Sequence, residues 1–405
     1  MVASLPMCAP SAGSQVTSWA FSVVDEVSFQ EAYLSECRAL VLDELGAIVR
    51  AGGSGDERAY RTLLDYPLRR AKGLRPALCI AVARALGGAL EDVLPSATVL
   101  EIYHNAFLIH DDIEDGSLER RGAPALHQTH GVPAAVNCGD GLLALTLRPL
   151  LDNTERLGLG RALRVLEIYA ATVVETYEGQ AQELRWIEDG AWELSDTDYE
   201  NMVQRKTCSY SFVAPARVGA AVAGASHEVE QQLLPLFRRL GLAFQIQDDL
   251  LNLEHGREAY GKELAGDLWE GKRTLMLLHA LRTAPAGDRA RALAILARPR
   301  PSRRSRELDL VLAELQVAGR LDRASAEAIA LRLRCGAGAE KTTDDVEFLL
   351  SLVDRHDGVP HARAIARGHA EAAAAEWARV EVLLGSSVHA RFLHWIKDYV
   401  VYREW

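Results

Sequence analysis

Apolar residues return every three or four positions, with charges between them, along nearly the whole chain from about Phe29. "VSFQEAYLSECRALVLDELGAIV" (27–49) is typical, and 76–89, 95–110, 159–184, 196–205, 209–224, 228–253 and 273–283 repeat the pattern. That spacing places one apolar stripe on each helix. Period-two runs of β-branched residues are nearly missing, and neither a βαβ rhythm nor a GxGxxG loop occurs, which argues against a dinucleotide fold. The pattern predicts an all-α chain.

Glycines and prolines fall where helices should stop, at Gly87-Gly88, Gly116, Gly122-Ala123-Pro124 and Gly131-Val132-Pro133. Residues 1–27, rich in Ser, Ala, Pro and Val, read as a loosely ordered leader, and 28–405 as the main domain. "ARPRPSRRSRE" (297–307) is basic and broken by prolines, so it reads as a solvated loop. Roughly 297–343 reads as an insertion on an otherwise continuous helical domain.

The net charge of −11 argues against nucleic acid as a partner. The six cysteines are scattered without a CxxC pair, as expected for reduced thiols rather than disulfides or a zinc site. No apolar stretch reaches the roughly 18 residues a membrane span needs. The first twenty-four residues hold no Lys or Arg, which supports neither a secretory nor a mitochondrial leader. A soluble cytoplasmic protein is the expectation.

Two acidic clusters carry the chemistry. In "LIHDDIEDGSLERRG" (108–122), Asp111, Asp112, Glu114 and Asp115 end an apolar helix. Asp111 and Asp115 share a face at i and i+4, with Asp112 beside them, while Glu114 points away and reads as solvated. Alone, such a cluster is most simply a solvated helix end. "LGLAFQIQDDLLNLEHG" (240–256) changes that reading, because a second apolar helix runs into Asp248-Asp249, with Asn252 four after Asp248. Two such helices facing across a cavity would share metal ions. Carboxylates without a His₂ or Cys₂ partner favour Mg²⁺, which takes its other ligands from phosphate and water. Lys72, Arg75, Arg120, Arg121, Lys206, Lys262 and Lys272 flank these clusters. Each alone is more simply a solvated charge, but together they suggest polyphosphate recognition.

These elements resemble the trans-isoprenyl diphosphate synthases, the polyprenyl synthetase family. The matching elements are Asp111-Asp112-Ile113-Glu114-Asp115 with Arg120-Arg121-Gly122, and Phe244-Gln245-Ile246-Gln247-Asp248-Asp249. Lys72-Gly73-Leu74-Arg75-Pro76, His104, Gly179-Gln180, Lys206-Thr207, Gly261-Lys262, Asp267 and Gly271-Lys272 complete the set, in family order over about 35–283. The resemblance implies that an allylic diphosphate loses diphosphate and that the cation formed attacks isopentenyl diphosphate. It implies magnesium on Asp111, Asp112, Asp115, Asp248, Asp249 and Asn252. Arg120, Lys206 and Lys262 would contact the allylic diphosphate, Lys272 would join the substrate-binding set, and Thr207 and Gln245 would lie near the reacting carbons. Lys72, Arg75, His104 and Arg121 would hold isopentenyl diphosphate. An all-α fold, one large single-domain helical bundle around a central cavity, and a homodimer are also implied.

Three positions depart from the usual pattern: Asn252 for a third Asp, Glu183 for an Asp after Gly179-Gln180, and Ala71 for the first Gly of Gly-Gly-Lys. Product length in this family is set by residues upstream of the first motif, here Phe107, Ala106 and Tyr103, four, five and eight before Asp111. Small Ala106 is expected to let the chain pass fifteen carbons, and Phe107 or Tyr103 to stop it soon after, giving geranylgeranyl diphosphate. Phe107 and Tyr103 could equally pack against a neighbouring helix. The competing readings are a terpene cyclase, which would usually show a different second metal motif, and a non-catalytic partner subunit, which would usually lose one aspartate pair.

Overall fold

The computed structural model describes residues 26–52, 57–254, 265–301, 303–333 and 340–402. The expected helices are present as Leu74–Ala85, Leu90–Glu114, Leu159–Glu188, Asp196–Val203, Ala214–Val222, His227–Glu254 and Leu275–Thr283. The first helix, Glu26–Gly52, starts inside the stretch read as a leader, whose residues 1–25 lie outside the described residues. Helix Gly358–Leu384 packs along His227–Glu254, and Val388–Tyr402 packs on Leu74–Ala85. Among the described residues no helix is long and apolar enough to cross a membrane.

The all-α architecture holds, with one small exception that matters for the site. Glu119–Arg120 pairs antiparallel with Ala123–Pro124, and the two-residue loop between them, Arg121-Gly122, has positive φ at both positions (53° and 76°). Mirror-type hairpin turns need this backbone, and glycine takes it without steric cost, whereas Arg121 does not. Arg69 holds the hairpin by donating to the carbonyls of Arg120 (2.8 Å) and Pro124 (2.9 Å).

Three apolar clusters fill the bundle. The largest joins Leu78, Ile80, Phe212, Phe237, Trp377 and Phe392. A second, with Tyr199, Leu250, Leu277 and Leu349, lies under the second acidic motif, and a third surrounds Tyr66, Ile102, Ile109 and Leu142. Both acidic motifs therefore stand on helices rooted in packed core.

The segment Gln204–Val213 winds as a π-helix, buried from Thr207 onward, between Asp196–Val203 and Ala214–Val222. Wide helical turns of this kind are rare and concentrate at functional sites. Leu159–Glu188 packs on it at Gly179, where a Cβ would come 2.3 Å from the Lys206 nitrogen.

The 297–343 stretch is not the unstructured loop expected for its start. Ala297–Pro301 is non-helical, but a helix runs Arg303–Val317, followed by Arg323–Leu333 packed against it. Pro299 and Pro301 precede the helix rather than interrupt it, a place where proline is tolerated. Lys341 N donates to Pro299 O at 2.9 Å, bringing the two ends of the stretch together.

The contact at Gly179 gives a direct test. Gly179→Ala should cost about 1–3 kcal/mol in urea unfolding, since the methyl meets backbone that cannot swing aside. The same change at Gly160, whose Cβ would meet nothing within 4 Å, should be neutral or mildly stabilising.

Candidate active site

The ends of Leu90–Glu114 and His227–Glu254 open on one cavity of about 350 Å³. Asp111 lines it from the first helix, and Gln245, Asp248 and Asp249 from the second. Lys72, Arg75, His104, Arg120, Arg121, Lys206, Thr207 and Lys272 share the wall. The structure thus gathers most of the residues expected from sequence, but Asp112, Asp115, Asn252, Tyr103 and Ala106 do not line this cavity. Lys262 falls outside the described residues.

The first motif is embedded in cations. Lys206 Nζ lies 3.0 Å from Asp111 and closer still to Glu183, the residue that departs from the usual Asp. Burial resists charge on Asp111, yet Lys206, Lys272 and Arg120 hold its carboxyl below the usual range. Burial likewise opposes the Lys206 charge, but Asp111, Glu183 and Asp115 outweigh it and raise its pKa. Asp115, one turn on, is 2.8 Å from Lys272. Burial pushes Asp115 up to about 7, with Lys272 opposing and Asp111 and Glu270 reinforcing.

Asp112 is turned elsewhere. It is 1% exposed, is gripped by Arg120 (Nε–Oδ1 2.9 Å), and accepts from Tyr66 Oη at 2.5 Å. It lies off the cavity wall, so the expected third carboxylate at the cavity is an anchor for Arg120. Asn252 is likewise off this wall. Its Oδ1 accepts from Asp267 N at 3.1 Å, which fixes the chain entering the Gly266–Glu270 turn. Glu114, expected to be solvated, is exposed yet accepts from Gln180 Nε2 at 2.6 Å.

In the second motif, Asp249 accepts from Tyr199 Oη at 2.6 Å and Gln245 Nε2 at 2.8 Å. Burial raises its carboxyl to about 6 even so, with both hydrogen bonds opposing and Asp248 reinforcing.

A second basic group lines the same cavity. Arg75 donates to Ser211 Oγ at 2.8 Å and Tyr210 Oη at 3.2 Å, and Arg121 to Tyr66 O at 2.8 Å. His104 Nε2 stands 3.1 Å from Arg75 and 3.4 Å from Arg121. Burial, then Arg75, Arg121 and Arg120, keep His104 neutral, so its lone pair accepts from both guanidiniums and separates them. Lys72 donates to Tyr399 Oη at 2.7 Å. Sequence reasoning missed Tyr66, Tyr210, Tyr399 and Arg273. The tyrosines offer no motif, though Arg273 sits directly beside Lys272.

Phe107 lines the cavity, and its ring lies 5.4 Å from Tyr210 and 6.5 Å from Tyr103, centroid to centroid. Tyr103 also meets Tyr169 edge-on at 5.9 Å. Ala106 is not with them. It is fully buried among Ile102, Ile109 and Leu142. Helical geometry explains this: at about 100° per residue, Phe107 lies roughly 40° from the Asp111 direction, but Ala106 about 140° away. The expectation that small Ala106 opens the cavity is corrected by that angle.

Among the described residues no three acidic, His or Cys side chains are grouped closely enough to hold one metal ion. The donor set still fits Mg²⁺, which needs only one or two carboxylates per ion when phosphate and water supply the rest. The fit thus depends on a phosphate-bearing substrate.

The Asp112 anchor is testable on its own. Asp112→Ala leaves Arg120 buried with one carboxylate, Asp111, at 3.7 Å, and should cost about 3–5 kcal/mol in urea unfolding. Asp112→Asn, which keeps an acceptor, should lose less; equal losses would show that the charge is what matters.

Comparison with known proteins agrees with this geometry. The polyprenyl synthetase family model matches residues 57–313. The geranylgeranyl diphosphate synthase of Methanosarcina mazei is 34% identical over 261 residues, 64% of this chain and 76% of that protein. A geranylgeranyl pyrophosphate synthetase structure from Pyrococcus horikoshii superposes with TM-score 0.73 at 24% identity, covering 94% of this chain and all of that one. A polyprenyl synthase from Caulobacter crescentus, complexed with calcium and isoprenyl diphosphate, gives 0.68 at 25%, covering 94% and 97%. With a family model spanning more than half its length, the chain belongs to the polyprenyl synthetase family and is a trans-prenyltransferase, an isoprenyl diphosphate synthase.

Proposed function

We propose that the cavity condenses an allylic diphosphate with isopentenyl diphosphate, using magnesium, and releases geranylgeranyl diphosphate and diphosphate. The observation that carries this reading is that one cavity wall holds carboxylates of both acidic motifs, Asp111, Asp248 and Asp249, together with the Arg75–His104–Arg121 cluster. Asp111, Asp115, Asp248 and Asp249 are the proposed magnesium ligands, with Asp112 positioning Arg120 beside them. Bound magnesium would neutralise charge on the departing diphosphate.

The chain's own groups complete that work. Lys206 and Arg120, held by buried carboxylates, aim fixed positive charge at the leaving group as its bond to carbon breaks. Lys262 and Lys272 are assigned to the same diphosphate. Lys72, Arg75, Arg121 and neutral His104 hold isopentenyl diphosphate without metal, with the lone pair of His104 spacing the two guanidiniums. Thr207 and Gln245 face the reacting carbons, and Phe244, Leu108 and Val203 on the wall keep water from the cation. Phe107, backed by Tyr103 and Tyr210, is the proposed stop for the growing chain, and the name of the Methanosarcina relative supports twenty carbons.

A second copy of the chain is the proposed partner. Leu159, Leu163, Leu166, Val174 and Tyr177 leave one face of Leu159–Glu188 apolar and 37–70% exposed, continued by Leu147 and Leu151. Large apolar faces of this sort mark interfaces. A cytoplasmic location is the matching reading for an acidic chain with no membrane-crossing helix among its described residues.

Incubation with Mg²⁺, isopentenyl diphosphate and each allylic diphosphate should give a linear twenty-carbon diphosphate, and Phe107→Ala should shift it longer by at least one five-carbon unit. A hydrocarbon product would indicate a cyclase, no turnover a non-catalytic subunit, and an unchanged Phe107→Ala product would remove that ring as the stop. In sedimentation the chain should run at twice 44.3 kDa, and Leu163→Glu should release the monomer; a wild-type monomer would overturn the dimer.

A further inference from the structure

A second cavity, of about 500 Å³, lies beside the active site, where the two ends of the 297–343 stretch meet the body of the protein. Trp192, Trp269 and Leu293 supply its apolar wall, and Arg298, Arg300 and Lys341 its basic one. Asp115 and Arg273 line it too, and Arg273 also lines the active-site cavity, so the two spaces share a partition.

Four cations line this cavity, Arg273, Arg298, Arg300 and Lys341, against two carboxylates, Asp115 and Glu270. Lys341 is 3% exposed, and its ammonium donates to Trp269 O at 2.7 Å. The carboxylates that act on it, Glu270 and Asp345, are already engaged at 2.8 Å by Arg300 and Arg298. Burial, reinforced by Arg300 and Arg273, lowers Lys341 to about 8. Arg273, 4% exposed, donates to the carbonyls of Trp186 (2.7 Å), Gly271 (2.9 Å) and Ala191 (3.2 Å), and stacks 4.1 Å over the Trp192 ring. Asp115 on the same wall is taken by Lys272. A buried ammonium with three donors and one carbonyl partner is costly unless an anion reaches it. Gly271, at φ +75°, leaves room for it: a Cβ there would lie 3.4 Å from the Lys341 nitrogen.

We propose that this cavity is a second ligand site, for an organic phosphate whose head meets Lys341 and Arg298 and whose apolar body lies against Trp192 and Trp269. Lys341 and Arg298 come from the two ends of the 297–343 stretch, so that stretch builds the site. Its occupant would press on Asp115 and Arg273 from behind, which makes it a place from which the active site can be regulated.

Calorimetric titration of the full chain with dodecyl phosphate, below its micelle concentration and in EDTA, tests this without turnover. Failure would therefore leave the prenyl-transfer reading untouched. Dodecyl phosphate should saturate a site at least tenfold more tightly than inorganic phosphate, apart from any weaker binding in the active-site cavity, and Lys341→Gln should weaken that site at least tenfold. Arg298→Gln, at a side chain 37% exposed and so safe for folding, should weaken it several-fold. Arg75→Gln, in the other cavity, should leave that tighter site unchanged. Unaltered binding in both Lys341→Gln and Arg298→Gln, loss of binding in Arg75→Gln, or equal affinity for inorganic phosphate would overturn the proposal.

Discussion

Asp111 and Asp112 sit side by side and buried at the end of an apolar helix, and two adjacent buried carboxylates must be answered by cations fixed in the same interior. Three separate elements are placed to answer them. The hairpin brings Arg120 to Asp112, the π-helical segment brings Lys206 to Asp111, and the turn after Gly266–Glu270 brings Lys272 to Asp115 one turn further on. Two of these cations meet a further carboxylate, Lys206 at Glu183 and Lys272 at Glu270. Three cations among five carboxylates compensate the array only in part, which leaves it acidic enough to draw in a metal ion with a diphosphate.

That compensation depends on backbone geometry of unusual kinds. Lys206 stands on a π-helical stretch that Gly179 permits another helix to touch, and Arg121 occupies a turn position that favours glycine. Strained or rare backbone persists where its surroundings over-determine it. Arg69 and the carbonyl of Tyr66 do that for the hairpin, which explains why a two-stranded ribbon survives in a bundle of helices.

The fold and most of the site were legible in the sequence because both are written locally. Helical spacing predicted the helices, and i, i+4 spacing placed Asp111 and Asp115 on one side. What was not legible is what depends on partners distant in the chain. Nothing near Asp112 announces that Tyr66 and Arg120 will turn it from the cavity, and nothing near Lys72 points to Tyr399, 327 residues away. The basic, proline-broken start of 297–343 suggested solvent. Both prolines instead sit before a helix, where the missing N–H costs little.

Ala106 and Phe107 show how one residue of register decides a functional reading. Both lie within two turns of Asp111, and size alone would make Ala106 the opening. Direction reverses this: Ala106 packs into the third core cluster, and Phe107 turns to the cavity with Tyr210 behind it. The Tyr210 hydroxyl accepts from Arg75, while its ring meets Phe107. One side chain therefore joins the basic cluster of the cavity wall to its aromatic part. The cluster proposed to hold isopentenyl diphosphate and the ring proposed to stop the product thus share one partner, so a change in the aromatic wall bears on Arg75 as well as on Phe107.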